Sequence, residues 1–307
     1  MLKRVIIITV MITSITIVAS FYAPKSDTSS GSGEKISVVT SFYVLGNFIE
    51  NIGGDIVSVR VITPPGIEPH DYEPTPNDLV AVGHATLFIY NGAGFDPWAN
   101  QLINSSNAHA LNMSEQLNLV LNHPGETSDP QNFSNPHYWL DPVLAIEEVR
   151  IIRDALITLV PSQQTLFKKN AEAYINRIAL LHHDFEEGLG TCANHDIIVS
   201  HNAFEYLGIR YTINTIPIAG ISPEDEPSTK KIGELTQLAK EKDIRFIFFE
   251  TSASPKLAET IAREVGIKTL VLNPIETLTE EELKVGEDYI SVMKTNLNNL
   301  RKALVCM

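Results

Sequence analysis

The amino-acid sequence predicts an α/β protein of two domains, each a mainly parallel sheet flanked by helices, joined by one long rigid helix. Three observations predict it. Short β-rich runs alternate with amphipathic helical stretches in both halves of the chain, the pattern that yields parallel pairing. Residues 162–188 form one long helical stretch at the boundary, with no flexible linker beside it. At 307 residues and 44% apolar content, the chain is long enough and apolar enough to build two cores.

The elements follow in order. Residues 36–41 read as a strand, and 43–53 as a helix closed by Gly53 and Gly54. Alternating Val and Ile mark a second strand at 56–62, and a loop rich in proline and glycine then delivers His70. Thr75-Pro76-Asn77-Asp78 has the form of a helix start, with a capping hydroxyl, proline at the first position and an acid in the first turn. Residues 86–90 read as a third, fully buried strand, and residues 122–136 as a polar loop that ends at His137. Helical spacing runs over 142–159, is interrupted at Pro161, and resumes over 162–188, where Gly188 and Gly190 close it. The second half repeats the alternation: strand 196–200, helix 227–242, strand 244–249, helix 255–265 opening at Ser254-Pro255, strand 268–272 and helix 279–304. Thr279 and Glu282 match a capping box for that last helix. The expected partition is a signal or anchor segment with a flexible tail at 1–34, a lobe at 35–160, a linking helix at 161–190 and a second lobe at 191–307.

The N-terminus speaks to compartment. Lys3 and Arg4 precede an uncharged apolar run from Val5 to Ala23, and a Ser/Gly-rich stretch follows, as in an export signal or an uncleaved anchor. The expected location is extracytoplasmic, secreted or held on the outer face of the membrane. No cysteine follows the run, which excludes a lipid-modified cysteine there. The two cysteines, Cys192 and Cys306, favour a disulfide in an exported protein, with two buried free thiols as the alternative. The net charge of −14 argues against nucleic acid, which demands a basic footprint.

In open α/β sheets, ligands bind beyond the carboxyl ends of the strands. His201, Glu250 and Asn273 each follow a predicted strand of the second half directly. His70 lies in the loop after the strand 56–62, and His137 in another first-half loop. Two sheets with these edges facing each other form a cleft, and three neutral imidazoles meeting there make a nitrogen site that suits zinc. His84, His109, His123, His182, His183 and His195 read as surface or satisfied core residues, with an accessory metal contact from the polar loop as the alternative for His123. His182 and His183 are adjacent in a helix and point to different faces.

The segments G-I-E-P-H-D-Y-E-P-T-P, P-H-Y-W-L-D-P, S-H-N-A-F-E-Y-L-G, I-A-G-I-S-P-E-D-E-P-S, F-F-E-T-S-A-S-P-K-L-A-E-T-I-A and G-E-D-Y-I-S-V-M, in this order from about residue 36 to the C-terminus, resemble the zinc/manganese solute-binding proteins of metal ABC importers, the cluster A-I group. The resemblance implies two α/β lobes on one rigid helix, a metal between them, and transfer to an ABC permease in the membrane. It implies that His70, His137 and His201 are metal ligands, that Cys192 pairs with Cys306, and that the protein is a monomer and not an enzyme. The family often has an aspartate as fourth ligand where this chain has Asn273. The fourth position is therefore Asn273, Glu250, a loop residue or water. Manganese prefers hard oxygen donors, so a set of imidazoles tilts the choice to Zn2+, with Mn2+ as the alternative. Glu250 is better suited to orienting a histidine than to direct ligation.

Two other functions fit parts of the pattern. Three histidines and an open fourth position also describe a catalytic zinc, with Glu250 as general base of a hydrolase. Against it, the chain has no H-E-x-x-H helix. A surface adhesion protein with a structural metal is the third reading; it requires that metal removal unfold the chain.

Overall fold

The computed structural model describes residues 35–106, 108–117, 135–225, 227–251 and 256–307. The signal or anchor segment expected at 1–34, most of the polar loop with His123, and the Ser254-Pro255 helix start lie outside the described residues.

Two four-stranded sheets carry the chain. In the first, β1 (Ile36–Thr40), β2 (Val57–Val61), β3 (Leu87–Tyr90) and β4 (Ala110–Asn112) lie in the order β2-β1-β3-β4. In the second, β5 (Asp196–Val199), β6 (Asn214–Pro217), β7 (Phe246–Phe249) and β8 (Lys268–Val271) lie in the order β6-β5-β7-β8. Every pair is parallel. The two orders are the same topology used twice, a repeat that the residues themselves do not display. Parallel strands need crossovers, and helices supply most of them: α1 (Tyr43–Gly53) and α2 (Pro76–His84) in the first lobe, α7 (Glu205–Tyr211), α8 (Thr229–Glu241) and α9 (Lys256–Val265) in the second. Between β3 and α5 (Pro142–Leu159) the described residues include two short α-helices, α3 (Ala99–Asn104) and α4 (Met113–Gln116).

The strands β4 and β6 go beyond the sequence expectation. Each is an edge strand of three or four residues without an apolar run. β6 ends in Pro217, whose missing N–H costs nothing at an edge. The single helix expected over 279–304 is two helices, α10 (Glu280–Lys284) and α11 (Tyr289–Leu304). Gly286 adopts φ 83 between them, a left-handed conformation natural to glycine. Asp288 then caps the new start by accepting from the Ser291 N–H. The capping box of Thr279 and Glu282 does open α10.

The helix α6 (Gln164–Leu189) runs between the lobes after a short 3-10 turn at Pro161–Gln163. Its buried stripe, Phe167, Ala171, Tyr174, Ile178, Leu181, Phe185 and Leu189, recurs every three or four residues, as one face of a helix requires. The early part serves the first lobe: Asn170 donates to the Ile52 carbonyl and the Tyr174 hydroxyl to Asn47. The late part serves the second: Phe185 stacks on Tyr211 at 5.0 Å between centroids, and the Leu297 side chain lies against Gly188. One apolar cluster runs without a break from Ile36 through this stripe to Leu304. The Cys192–Cys306 disulfide ties the entry of β5 to the end of α11.

Candidate metal centre

His137 sits on the P-H-Y-W-L-D-P segment, which the fold fastens on every side. Asp141 caps α5 by accepting from the Val143 N–H, and it pairs with Arg210 of α7 at 2.7 Å. The Trp139 indole N–H donates to the Pro274 carbonyl at 2.7 Å, and the Tyr289 hydroxyl to the Trp139 carbonyl. Trp139 is fully buried. A first-lobe segment is thus held by second-lobe atoms.

His70 comes from the loop after β2. Trp98 fixes that loop by donating to the Pro69 carbonyl at 2.9 Å. Phe95 packs edge-on against the His70 ring with centroids 4.5 Å apart. His201 follows β5, as the strand-end rule requires, and is fully buried.

The three rings meet. His70 Nε2 is 3.2 Å from His137 Nε2, and His201 Nε2 is 3.3 Å from His137 Nε2. The carboxylate that joins them is Glu276. Its Oε1 lies 2.9 Å from His137 Nε2, 3.0 Å from His201 Nε2 and 3.8 Å from His70 Nε2. All four donor atoms lie within 4.8 Å of one another. Four donors held about 2.0–2.1 Å from a tetrahedral ion stand ~3.3 Å apart. Five of the six edges, 2.9–3.8 Å, bracket that value, and the sixth, His70 to His201, is within 4.8 Å, so the four donors can close around one small cation. The other Glu276 oxygen is buried without a hydrogen-bond partner among the described residues.

Glu276 was not singled out from the sequence, although its signal was present: it lies in the same strand-end loop as Asn273. Asn273 does a different job. Its Oδ1 accepts from the Ile275 N–H at 2.7 Å, and its Nδ2 donates to Thr251 at 2.9 Å. Its backbone is clamped by Asn296 through both N–H and carbonyl. Ile275 is buried with φ 60, a costly conformation for a β-branched residue. The side chain of Asn273 holds that turn, and the turn aims Glu276 inward. Glu250, at the end of β7, lies behind His201 rather than beside the donor atoms. Its Oε1 is 2.5 Å from His201 Nδ1, and the Ser200 hydroxyl donates to the same oxygen.

Electrostatics sort the four groups. Burial lowers the pKa of His137 to about 3, against the pull of Glu276, and also lowers that of His70. Burial alone would lower His201 too, but Glu250 and Glu276 outweigh it and raise its pKa well above 6.5. Burial would raise Glu276, yet His201 and His137 hold it well below the usual carboxylate range. Glu68, at the mouth, is pushed up to about 10 by burial and then by the neighbouring Glu276. At neutral pH the metal-free cluster therefore carries an imidazolium–carboxylate pair and two neutral rings.

The zinc-uptake complex component A (ZnuA) family model matches residues 38–303. The zinc-binding lipoprotein AdcA of Streptococcus pneumoniae is 36% identical over 278 residues, 87% of this chain but 56% of AdcA, so the chain spans about half the length of that relative. The crystal structure of the Zn(II)-bound ZnuA-like domain of AdcA superposes with a TM-score of 0.75 at 35% identity, covering 88% of this chain and 99% of that domain. The high-affinity zinc uptake system protein ZnuA of Bacillus subtilis is 35% identical over 283 residues, 89% of each chain. The laminin-binding protein Lmb of Streptococcus agalactiae, described as bifunctional with adhesin and metal transporting activity, superposes with a TM-score of 0.77 at 31% identity over 88% of this chain and 99% of Lmb. Matched over most of its length and built on the same two parallel-sheet lobes, the chain belongs to the zinc-uptake complex component A family.

Proposed function

We propose that this chain is the extracytoplasmic solute-binding component of a metal ABC importer, capturing Zn2+ between its lobes and delivering it to the membrane permease. The carrying observation is the convergence of the His70, His137, His201 and Glu276 donor atoms within 4.8 Å of one another, with His137 Nε2 2.9–3.3 Å from each of the other three. Three imidazoles and one carboxylate favour zinc over manganese, whose sites are oxygen-rich. Glu276 occupies the fourth corner, so the set is closed, with no free corner for a substrate or an attacking water. That favours a carrier over a hydrolase. In this reading the lobes take residues 35–160 and 191–307, with 161–190 as the linking helix. The apolar run from Val5 to Ala23 directs export or anchors the protein outside the membrane. Cys192 and Cys306 are joined in one disulfide, which supports an oxidising compartment. We expect a monomer, checked by light scattering.

Calorimetric titration with Zn2+ and Mn2+ tests the function. Wild type should bind one zinc per chain more tightly than manganese, and a variant with His70→Ala and His201→Ala should not bind. Absence of zinc binding by wild type, or undiminished binding by the double variant, overturns the reading. A laminin-binding assay tests whether the adhesin activity described for Lmb extends to this chain.

A further inference from the structure

Asn135 stands two residues before His137 and is almost fully buried. Its Oδ1 accepts twice from His137: from the backbone N–H at 3.1 Å and from ring Nδ1 at 2.7 Å. Its Nδ2 donates across the cleft, to the Asn202 carbonyl at 2.6 Å and to Glu205 Oε2 at 3.0 Å. Asn202 directly follows His201, and Glu205 opens α7. The orientation of the amide is not free. A backbone N–H on one side demands the oxygen there, and a backbone carbonyl on the other demands the NH2 group. An amide oxygen can only accept, so His137 Nδ1 carries a proton, which leaves Nε2 as the ring nitrogen that can offer a lone pair to a metal. That atom touches all the other three donors of the cluster.

We infer that Asn135 is a positioning residue that fixes the His137 tautomer and, through its other end, sets the distance between His137 on one lobe and the loop bearing His201 on the other. The inference rests on the zinc-binding reading. Glu250 cannot substitute for it, because Glu250 holds His201 only. Asn135 touches both lobes without being a donor of the cluster: its oxygen belongs to the first lobe's ligand and its nitrogen to the second lobe's Asn202 carbonyl and Glu205.

The test uses the full chain, with Asn135→Ala and Asn135→Asp variants. Long-range 1H–15N spectra of the metal-free, histidine-labelled protein report each ring tautomer. Wild-type His137 should show a single form protonated at Nδ1. Asn135→Ala should give mixed tautomers and bind zinc about 10–100-fold more weakly, the loss typical of removing the partner behind a metal-bound histidine. Asn135→Asp keeps the acceptor but loses the donor to Asn202. It should keep the tautomer and still bind more weakly than wild type. A single unchanged tautomer in Asn135→Ala, or zinc affinity within twofold of wild type in either variant, overturns the inference. Should Asn135→Ala fail to fold, mixed tautomers in Asn135→Asp overturn it alone. The tautomer is read without metal, so a wild type that does not bind zinc defeats the proposed function and leaves the assignment of Asn135 measurable.

Discussion

The proton balance of the metal site yields a prediction that ordinary histidine chemistry would not. Zinc needs four free lone pairs. At pH 7 His137, with its pKa lowered to about 3, is already neutral, as is His70, and Glu276 is already ionised. His201 is not ready: Glu250 and Glu276 keep its pKa well above 6.5, so zinc must displace its proton. One proton released per zinc means that affinity rises tenfold for each pH unit, about 1.4 kcal/mol. The sign follows from the raised pKa: the competing proton is fully bound below it, and the penalty vanishes only once pH passes it. Unperturbed imidazoles would lose that dependence above about pH 6.5. Here the rise should continue above pH 6.5. A proton leaving Glu68, whose pKa is pushed up to about 10, would steepen it toward two. Calorimetry in buffers of different ionisation enthalpy counts the protons, and chelator competition gives the slope. An affinity that turns flat at pH 6.5, with no proton released above it, refutes this account of the cluster.

Further outcomes follow from single contacts. Glu276→Ala should weaken zinc binding beyond the ~10–100-fold expected for loss of a group behind a ligand. Asn273→Ala should instead cost about 1–3 kcal/mol of stability, because it leaves the buried Ile275 N–H unpaired. Binding retained in Glu276→Ala and abolished in Asn273→Ala would reverse those two assignments. Trp139→Phe removes a buried hydrogen bond to the Pro274 carbonyl and should lower stability by about 1–3 kcal/mol, read from urea midpoints. Replacing Cys192 and Cys306 with serine opens a loop whose ends are 114 residues apart and should cost about 4–5 kcal/mol by chain entropy. Reductant on the wild type should produce the same drop; an unchanged midpoint would show that the link contributes nothing.

The fold was largely legible because its strands are apolar runs and its helices carry caps. Six strand positions and the long helix follow from that patterning alone. What escaped was short or set by tertiary context. β4 and β6 are edges whose stability comes from one neighbour. The break between α10 and α11 rests on the single Gly286 and the cap at Asp288, which a periodic pattern overrides on paper. At the site, the convergence was expected from the strand-end places of His70 and His201, while His137 was placed only in another first-half loop. The fourth donor was left open among Asn273, Glu250, a loop residue and water, and Glu276 was not singled out, because its aim is decided by a left-handed Ile275 held by Asn273, and residue type does not reveal a turn of that kind. Asn135 carried no signal beyond its nearness to His137.

The uninterrupted apolar cluster along α6 has a consequence for engineering. A protein whose halves share one interior cannot be cut at its waist and recombined: neither half, expressed alone, would bury its share of the stripe. Heat should melt the described body in one step. Metal preference would then be changed by rewriting strand-end loops, while transplanting a whole lobe from a relative would demand rebuilding the helix that both lobes stand on.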